Sequence, residues 1–304
     1  MYRPSEERTD HAAPGAELGP DSILWQCAGD TRIAFLGATI GLLQLMHPAI
    51  GAGVIEHSNF FEDPFDRVFR SLPAILGAVY GPDATATGRW VRDQHKTIKG
   101  VDDEGRRYHA LDPHTYWWAH ATFQFMAEQV LDRFDDRRLT PDEREQLYQE
   151  GVTWYRSYGV TDRAVPQDRA AFQAEWDRVC AEVLEMNDAV AFVLRMLDRP
   201  MRLELPKPLD ILNPVLRRGP VAQLLKVPVR ISAIGGLPPV VRERFGIRWT
   251  RADQAQLDAL ELAVRKTWRF VPLSTRWQPR ALDGWKRVRA ERRAEGNPSW
   301  RAAG

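Results

Sequence analysis

The stretch "DPHTYWWAHATFQF", residues 112–125, puts two tryptophans, a tyrosine, two phenylalanines and two histidines into one short run. It begins as helices begin. Asp112 is a natural N-cap, and Pro113 suits the first helical position, where a missing N–H costs nothing. The pattern predicts a helix to about residue 133. Within it Tyr116 and Trp117 lie one turn before His120, and Phe123 and Gln124 lie one turn after. His120 therefore falls on an aromatic stripe, and an imidazole stripped of water on most sides needs partners for its nitrogens. A backbone carbonyl and a metal ion both meet that need, and the pattern alone leaves both open.

Multi-ligand metal sites have no local signature. His114 and His120 are six apart and point away from a common helical face, and neither an H-E-x-x-H motif nor a two-histidine-one-carboxylate spacing occurs. A single helical histidine among flat aromatic groups is instead what a haem requires: one axial imidazole and apolar walls.

Working outward, the chain is punctuated for helices. "LTPDERE" has Thr140 as N-cap, Pro141 at the first position and Glu143 closing a capping box, and Gly159 sits where that helix should stop. Periodic segments follow at about 167–186, 188–197 and 251–270, with no sustained strand alternation, so the fold class expected is all-α. From Ile33 to Ile55 no charged residue occurs, over a length about sufficient for a bilayer. Pro48 would break that segment near its middle, which favours a buried helix ending at His47 and a second short apolar element. Its glycines, at 37, 41, 51 and 53, suit close packing or a flat ligand near the backbone. A proline-rich joint at 199–214 separates a front part holding all seven histidines from a back part holding none. "LPPVVR" at 237–242 and "VPLSTR" at 271–276 share a Pro-x-x-x-Arg spacing, read as two helix starts each with a capping arginine.

Composition limits the partners. Of 304 residues 44% are hydrophobic, enough for a substantial core. Forty-two basic against 41 acidic residues leave a net charge of +1, so no field steers the chain to nucleic acid. Two distant cysteines, Cys27 and Cys180, argue against a disulfide framework and structural zinc. With a polar N-terminus that lacks an apolar core, they point to a reducing, cytoplasmic setting without a spanning segment.

The segment before the aromatic helix, "TGRWVRDQHKTIKG" at 87–100, reads as a helix that gathers Arg92, His95, Lys96 and Thr97 within two turns. Arg92 and His95 are three apart, and Arg92 and Lys96 four apart, so they can share one face. That face is either a solvated basic helix end or a set of donors over a bound ligand.

Several blocks together resemble a known family. They are "LMHPAIGAGVIEHSNFFEDPFDRVFRS", "VRDQHKTIKG", "YHALDPHTYWWAHATF", "LTPDEREQLYQEGVTWYRSYGV" and "LPPVVRERFGIRW". Their order is similar to that of the MpaB-type oxygenases and the catalytic domain of the rubber oxygenases, the latex-clearing proteins. The most specific parts are HP-x-I-x-x-G-V-x-x-H-S and Y-x-A-L-D-P…W-x-H-A-T. The resemblance runs from about residue 28 to 285 and implies a single all-α domain with a globin-like core around one b-type haem. It also implies attack by molecular oxygen on a hydrophobic small-molecule substrate, isoprenoid or alkene. It carries the proximal iron ligand over to His120, with Trp117 in the cofactor's wall.

The distal element of rubber oxygenases, Arg-x-x-Lys-Thr, is matched imperfectly. Arg92 fits the arginine, His95 takes the lysine position, and Lys96-Thr97 follow one residue late. The expected catalytic set is thus Arg92, His95, Lys96 and Thr97, with Arg92 also contacting the cofactor. Glu56, Glu62 and Glu150 are acids near these blocks, but no motif singles one out as a base. The expected organisation is a lead-in over 1–20, a helical oxygenase-like domain over 21–285 and a basic tail over 286–304. A haem sensor or electron-transfer protein, and a scaffold that has lost its cofactor, are the alternatives.

Overall fold

The structure is a computed structural model that describes residues 18–62, 66–198 and 219–295. The first seventeen residues and the proline-rich joint lie outside the described residues. Among the described residues there are thirteen α-helices and one two-stranded antiparallel sheet, so the fold is all-α as expected.

The helix launched at Pro113 is the central one. We number it α5, Pro113–Phe134, and its start is held by the Asp112 carboxylate, which accepts from the backbone N–H groups of His114 and Thr115. It packs against α1 (Gly37–Leu45), α6 (Pro141–Ser157) and α11 (Arg251–Thr267). Because it is covered on several sides, it buries residues all round its middle rather than on one stripe. The expected capping box of α6 is present, with Thr140 and Glu143 satisfying each other's backbone N–H. The chain leaves α6 through Gly159 at φ +66, a conformation that glycine adopts without strain.

The charge-free segment folds as expected into two helices, α1 and α2 (Pro48–His57), bent by 96° at His47-Pro48. Among the described residues no single helix is long and apolar enough to cross a membrane. Its glycines divide by role. A Cβ on Gly51 would lie 2.4 Å from Asn187 Nδ2 and 2.6 Å from the Leu45 carbonyl oxygen, whereas one on Gly41 would meet no described atom within 4 Å. Gly51 therefore permits helix contact, not ligand approach. Gly51→Leu is expected to lower stability by about 3 kcal/mol or prevent folding, as overpacking against backbone does. Gly41→Leu should leave the urea midpoint nearly unchanged, and equal effects at both positions would contradict this division.

Two segments differ from expectation. The helix read over 87–100 ends at Asp93 (α4, Ala84–Asp93) and passes through a turn into a short hairpin. In it β1 (Lys99–Val101) pairs with β2 (Arg107–His109), Lys99 facing His109. His95, Lys96 and Thr97 thus stand beyond the helix, so the shared helical face does not exist. The segment read as one helix over 167–186 is α7 (Arg169–Arg178) followed by a π-helical turn, Val179–Val183.

The rest of the frame comprises α3 (Asp66–Tyr80), α8 (Asp188–Leu197), α9 (Gly219–Gly235), α10 (Pro239–Arg244), α12 (Leu273–Arg276) and α13 (Pro279–Ala294). The boundary drawn at 285 falls inside α13, where Trp285 and Val288 are both buried. The two Pro-x-x-x-Arg segments do what their spacing suggests. Arg242 donates to the Ile234, Gly235 and Leu237 carbonyls at the end of α9, and Arg276 donates to those of Arg269 and Val271.

Beneath the end of α5 lies a buried ion cluster. Arg32, 2% exposed, donates to the Asp30 carboxylate, to Asp135 Oδ1 at 2.7 Å and to the Phe134 carbonyl at 2.8 Å. Cys27 and Cys180 are both buried free thiols.

Candidate functional site

His120 lies on the side of α5 that meets α6 and is 2% exposed. Four aromatic rings surround the imidazole, with centroids at 4.8 Å for Trp154, 5.3 Å for Tyr155, 5.6 Å for Trp117 and 5.9 Å for Tyr158. Its Nε2 donates to the Gly151 carbonyl at 2.8 Å. Its Nδ1 is buried and has no hydrogen-bond partner among the described residues. With the proton fixed on Nε2, the ring presents one buried lone pair.

Gly151 makes this possible. A Cβ there would come within 2.5 Å of the Gln124 amide, which itself donates to the Tyr148 carbonyl, so only glycine lets α6 approach α5 this closely. Gln124 Oε1 is also buried without a partner among the described residues. One acceptor nitrogen and one acceptor oxygen are thus unsatisfied on α5, where buried polar groups are ordinarily paired.

Burial holds His120 at a pKa of about 4 against an ordinary 6.5, with the Gly151 hydrogen bond offsetting part of the shift. The imidazole is neutral at pH 7, as a metal ligand must be. Burial likewise holds His47 at about 4. A folded pKa below the unfolded one means that the unfolded chain takes up protons first as pH falls. The stabilisation is complete above about pH 6.5 and is lost on acidification towards pH 4. The His120 contribution is about 3 kcal/mol at 1.36 kcal/mol per unit, and the half-buried His47 ring adds less. Urea midpoints measured from pH 7 to pH 4.5 should fall steeply below pH 6.5. A flat profile down to pH 5 would refute this.

His95 stands past the end of α4, donates from Nδ1 to the Val91 carbonyl at 2.8 Å, and meets Tyr116 edge-on at 5.8 Å. Tyr116 in turn packs on Tyr158 at 5.5 Å, and Tyr158 on His120, so two tyrosine rings lie in the series between the histidines. Burial raises the pKa of both phenols, which keeps them protonated. Arg92 is bound to Asp93 at 2.7 Å and to the Gly159 carbonyl at 3.3 Å, and Lys96 pairs with the same Asp93 at 2.9 Å. Thr97 is exposed. Of the expected residues, then, the structure gathers His120 and Trp117 in one aromatic cluster, brings His95 to its tyrosine edge, and holds Arg92, Lys96 and Thr97 at the surface.

The acids are occupied elsewhere. Glu150 accepts from the Leu24 backbone N–H and the Gln146 amide, both at 2.7 Å, and Glu56 accepts from the Tyr108 hydroxyl. Glu62 is exposed. No group of three or more metal-ligating side chains occurs among the described residues.

Sequence reasoning missed His47, Gly151 and Trp154. His47 belongs to the quoted HP motif, and its Nδ1 is buried without a partner among the described residues. A cavity of about 110 Å³ opens beside it, between α5 and α7.

Searches of curated proteins and of solved structures find no match to the chain. A family model does match, over residues 25–266, and it is described as "ER-bound oxygenase mpaB/B'/Rubber oxygenase, catalytic domain". The matched span includes His95 and the helices that carry His120 and Gly151. The chain belongs to the mpaB and rubber oxygenase catalytic-domain family.

Proposed function

We propose that this oxygenase-family chain binds one b-type haem through His120 and uses molecular oxygen to attack a hydrophobic small molecule. The observation that carries the proposal is the Nδ1 of His120: a neutral, buried nitrogen whose lone pair has no partner among the described residues. The donor chemistry fits a haem, which asks for one neutral imidazole among apolar rings. The space at His120 is filled by those rings, and the cavity near His47 is smaller than the roughly 300 Å³ at which ligand pockets begin. Loading therefore requires the Trp154, Tyr155 and Tyr158 side chains to part.

Bound haem would supply the iron that takes up and activates oxygen. The chain's own residues do the rest. The Gly151 carbonyl fixes the proton on Nε2 and so orients the His120 ring, as carbonyl partners orient metal-ligating histidines. Trp117, Trp154 and Tyr158 exclude water and give an apolar carbon chain its contacts. His95, half-buried at the tyrosine edge, is the group placed to pass a proton inward. Arg92, Lys96 and Thr97 complete the proposed catalytic set, with Arg92 also contacting the cofactor. The present ties of Arg92 and Lys96 to Asp93 are ion pairs at the surface, which are weak and exchange readily.

The function is tested by haem reconstitution followed by oxygen uptake with a panel of alkenes and isoprenoids. Substrate-dependent oxygen consumption by the haem-loaded chain supports the proposal, and stable haem binding without any such consumption removes the enzymatic part. Arg92→Ala should leave the urea midpoint unchanged, because the side chain is at the surface, while weakening haem retention or oxygen uptake severalfold. A variant normal in both would return Arg92 to a surface ion pair with Asp93.

A further inference from the structure

The end of α11 and the chain that follows it are not absorbed by the His120 site. From Leu262 to Leu282 the sequence holds five cations, Arg265, Lys266, Arg269, Arg276 and Arg280, and no acid, in a chain whose charges otherwise nearly balance. The same stretch carries the most exposed large apolar side chain among the described residues, Phe270 at 72%, together with the half-exposed Leu262 and Leu273.

Single exposed apolar side chains are ordinary, but these three share one end of α11. That helix buries Leu257 and Val264. At about 100° per residue, Leu262, Lys266 and Arg269 fall on its opposite side, the last of them in the 3₁₀ turn Trp268–Phe270 that prolongs the helix. Leu273 opens α12 three residues after Phe270. The Arg269 guanidinium lies over the Phe270 ring at 4.8 Å, so a cation and an apolar ring are presented together.

The exposure is built into a braced segment. Arg32 lies over the Trp268 ring at 5.2 Å, Arg276 donates to the Arg269 and Val271 carbonyls at 2.7 and 2.6 Å, and the Thr31 hydroxyl donates to the Thr275 carbonyl at 2.9 Å. These contacts fix the turn from its inner side and leave Phe270 and Leu273 to the solvent.

The charges select the occupant. Asp136 approaches Lys266 at 3.6 Å in an exposed pair. The acids that flank the stretch are engaged elsewhere: Asp258 accepts from the Gln254 amide, Glu261 pairs with Arg133, and Asp283 pairs with Lys286. What is presented is an apolar tip with a basic rim. That combination suits the interface of an anionic bilayer, where apolar side chains enter the acyl boundary and cations stay among the headgroups. Among the described residues no single helix is long and apolar enough to cross a membrane, so the contact is peripheral.

We propose that Leu262, Phe270 and Leu273, rimmed by Lys266, Arg269 and Arg280, dock this chain on an anionic lipid surface. The surface goes beyond the oxygenase reading and does not depend on haem.

Flotation of the full chain with vesicles of phosphatidylcholine, and with vesicles of equimolar phosphatidylcholine and phosphatidylserine, tests it. The chain should bind the anionic vesicles at least about tenfold more strongly than the neutral ones, and added salt should remove most of that preference. Phe270→Ser combined with Leu273→Ser should lower binding to the anionic vesicles by at least about tenfold. Lys266→Gln combined with Arg269→Gln should reduce the preference for them severalfold. Val101→Ser, at an exposed apolar position on the hairpin, should change neither. These side chains are at the surface, and every variant should keep the wild-type urea midpoint. No flotation with either vesicle, equal binding to both, binding unchanged in the double serine variant, or an equal loss in Val101→Ser would each overturn the proposal. So would a dimer in sedimentation that the double serine variant loses while no vesicle binding is seen, which would assign the face to a second copy of this chain. Haem does not enter this readout, so failure here leaves the His120 assignment standing.

Discussion

His120→Ala is expected to lower haem affinity by more than about tenfold, a loss above about 1.4 kcal/mol, and to leave the purified protein without a Soret band. The effect follows from the count of donors. Among the described residues His120 offers the buried neutral imidazole with an orphaned nitrogen at the α5–α6 contact, and no cluster of metal-ligating groups stands in for it. Alanine also strands the Gly151 carbonyl, at a cost of about 1–3 kcal/mol in the folded protein. His120→Gln separates these effects, since its amide can still donate to Gly151 while offering no imidazole. Both variants should lose the haem, and Gln should retain more stability than Ala. Haem content equal to wild type in both would remove His120 from the site.

Arg32→Ala is expected to be the most damaging single change to the folded state, at about 3–5 kcal/mol. The guanidinium is surrounded by Asp30, Asp135 and the Phe134 carbonyl, and it lies against the Trp268 ring at 5.2 Å. Removing it leaves two carboxylates facing each other in a dry environment and unties the end of α5 from the segment before α1. Burial already pushes the Asp135 carboxyl up, against the pull of Arg32, so without that cation it would bind a proton or admit water. Adding Asp135→Ala to Arg32→Ala should recover part of the loss, because one stranded charge is gone. Equilibrium urea unfolding of the single and double variants measures both. A single-variant loss below 1 kcal/mol would mean that the cluster is far better hydrated than its geometry implies.

The helical frame was largely legible in the sequence because its signals are local. Asp112-Pro113, the Thr140–Glu143 box and the break at Pro48 act through a few adjacent residues, and the structure bears each of them out. The hairpin was not legible, because strands of three residues each are too short to carry a readable alternation. The π-helical turn after Arg178 was hidden for a similar reason: one extra residue per turn barely disturbs a helical period.

The site was legible only in its centre. The aromatic stripe pointed to His120, and its two competing partners prove not to exclude each other, since a carbonyl holds one nitrogen and leaves the other bare. The distal group was read from a helical face that ends two residues too early. His47, Gly151 and Trp154 depend on which helices meet, and that information lies in packing between segments far apart in the chain.

The proposed haem site stands on an iron–imidazole bond from His120, and resonance Raman spectroscopy of the ferrous, haem-loaded chain measures that bond directly. An iron–histidine stretching band is expected in the wild-type protein and should be absent from His120→Gln held with excess haem, which offsets its weakened affinity. The same band in both proteins, or its absence from the wild type at full haem loading, would show that His120 does not bind the iron.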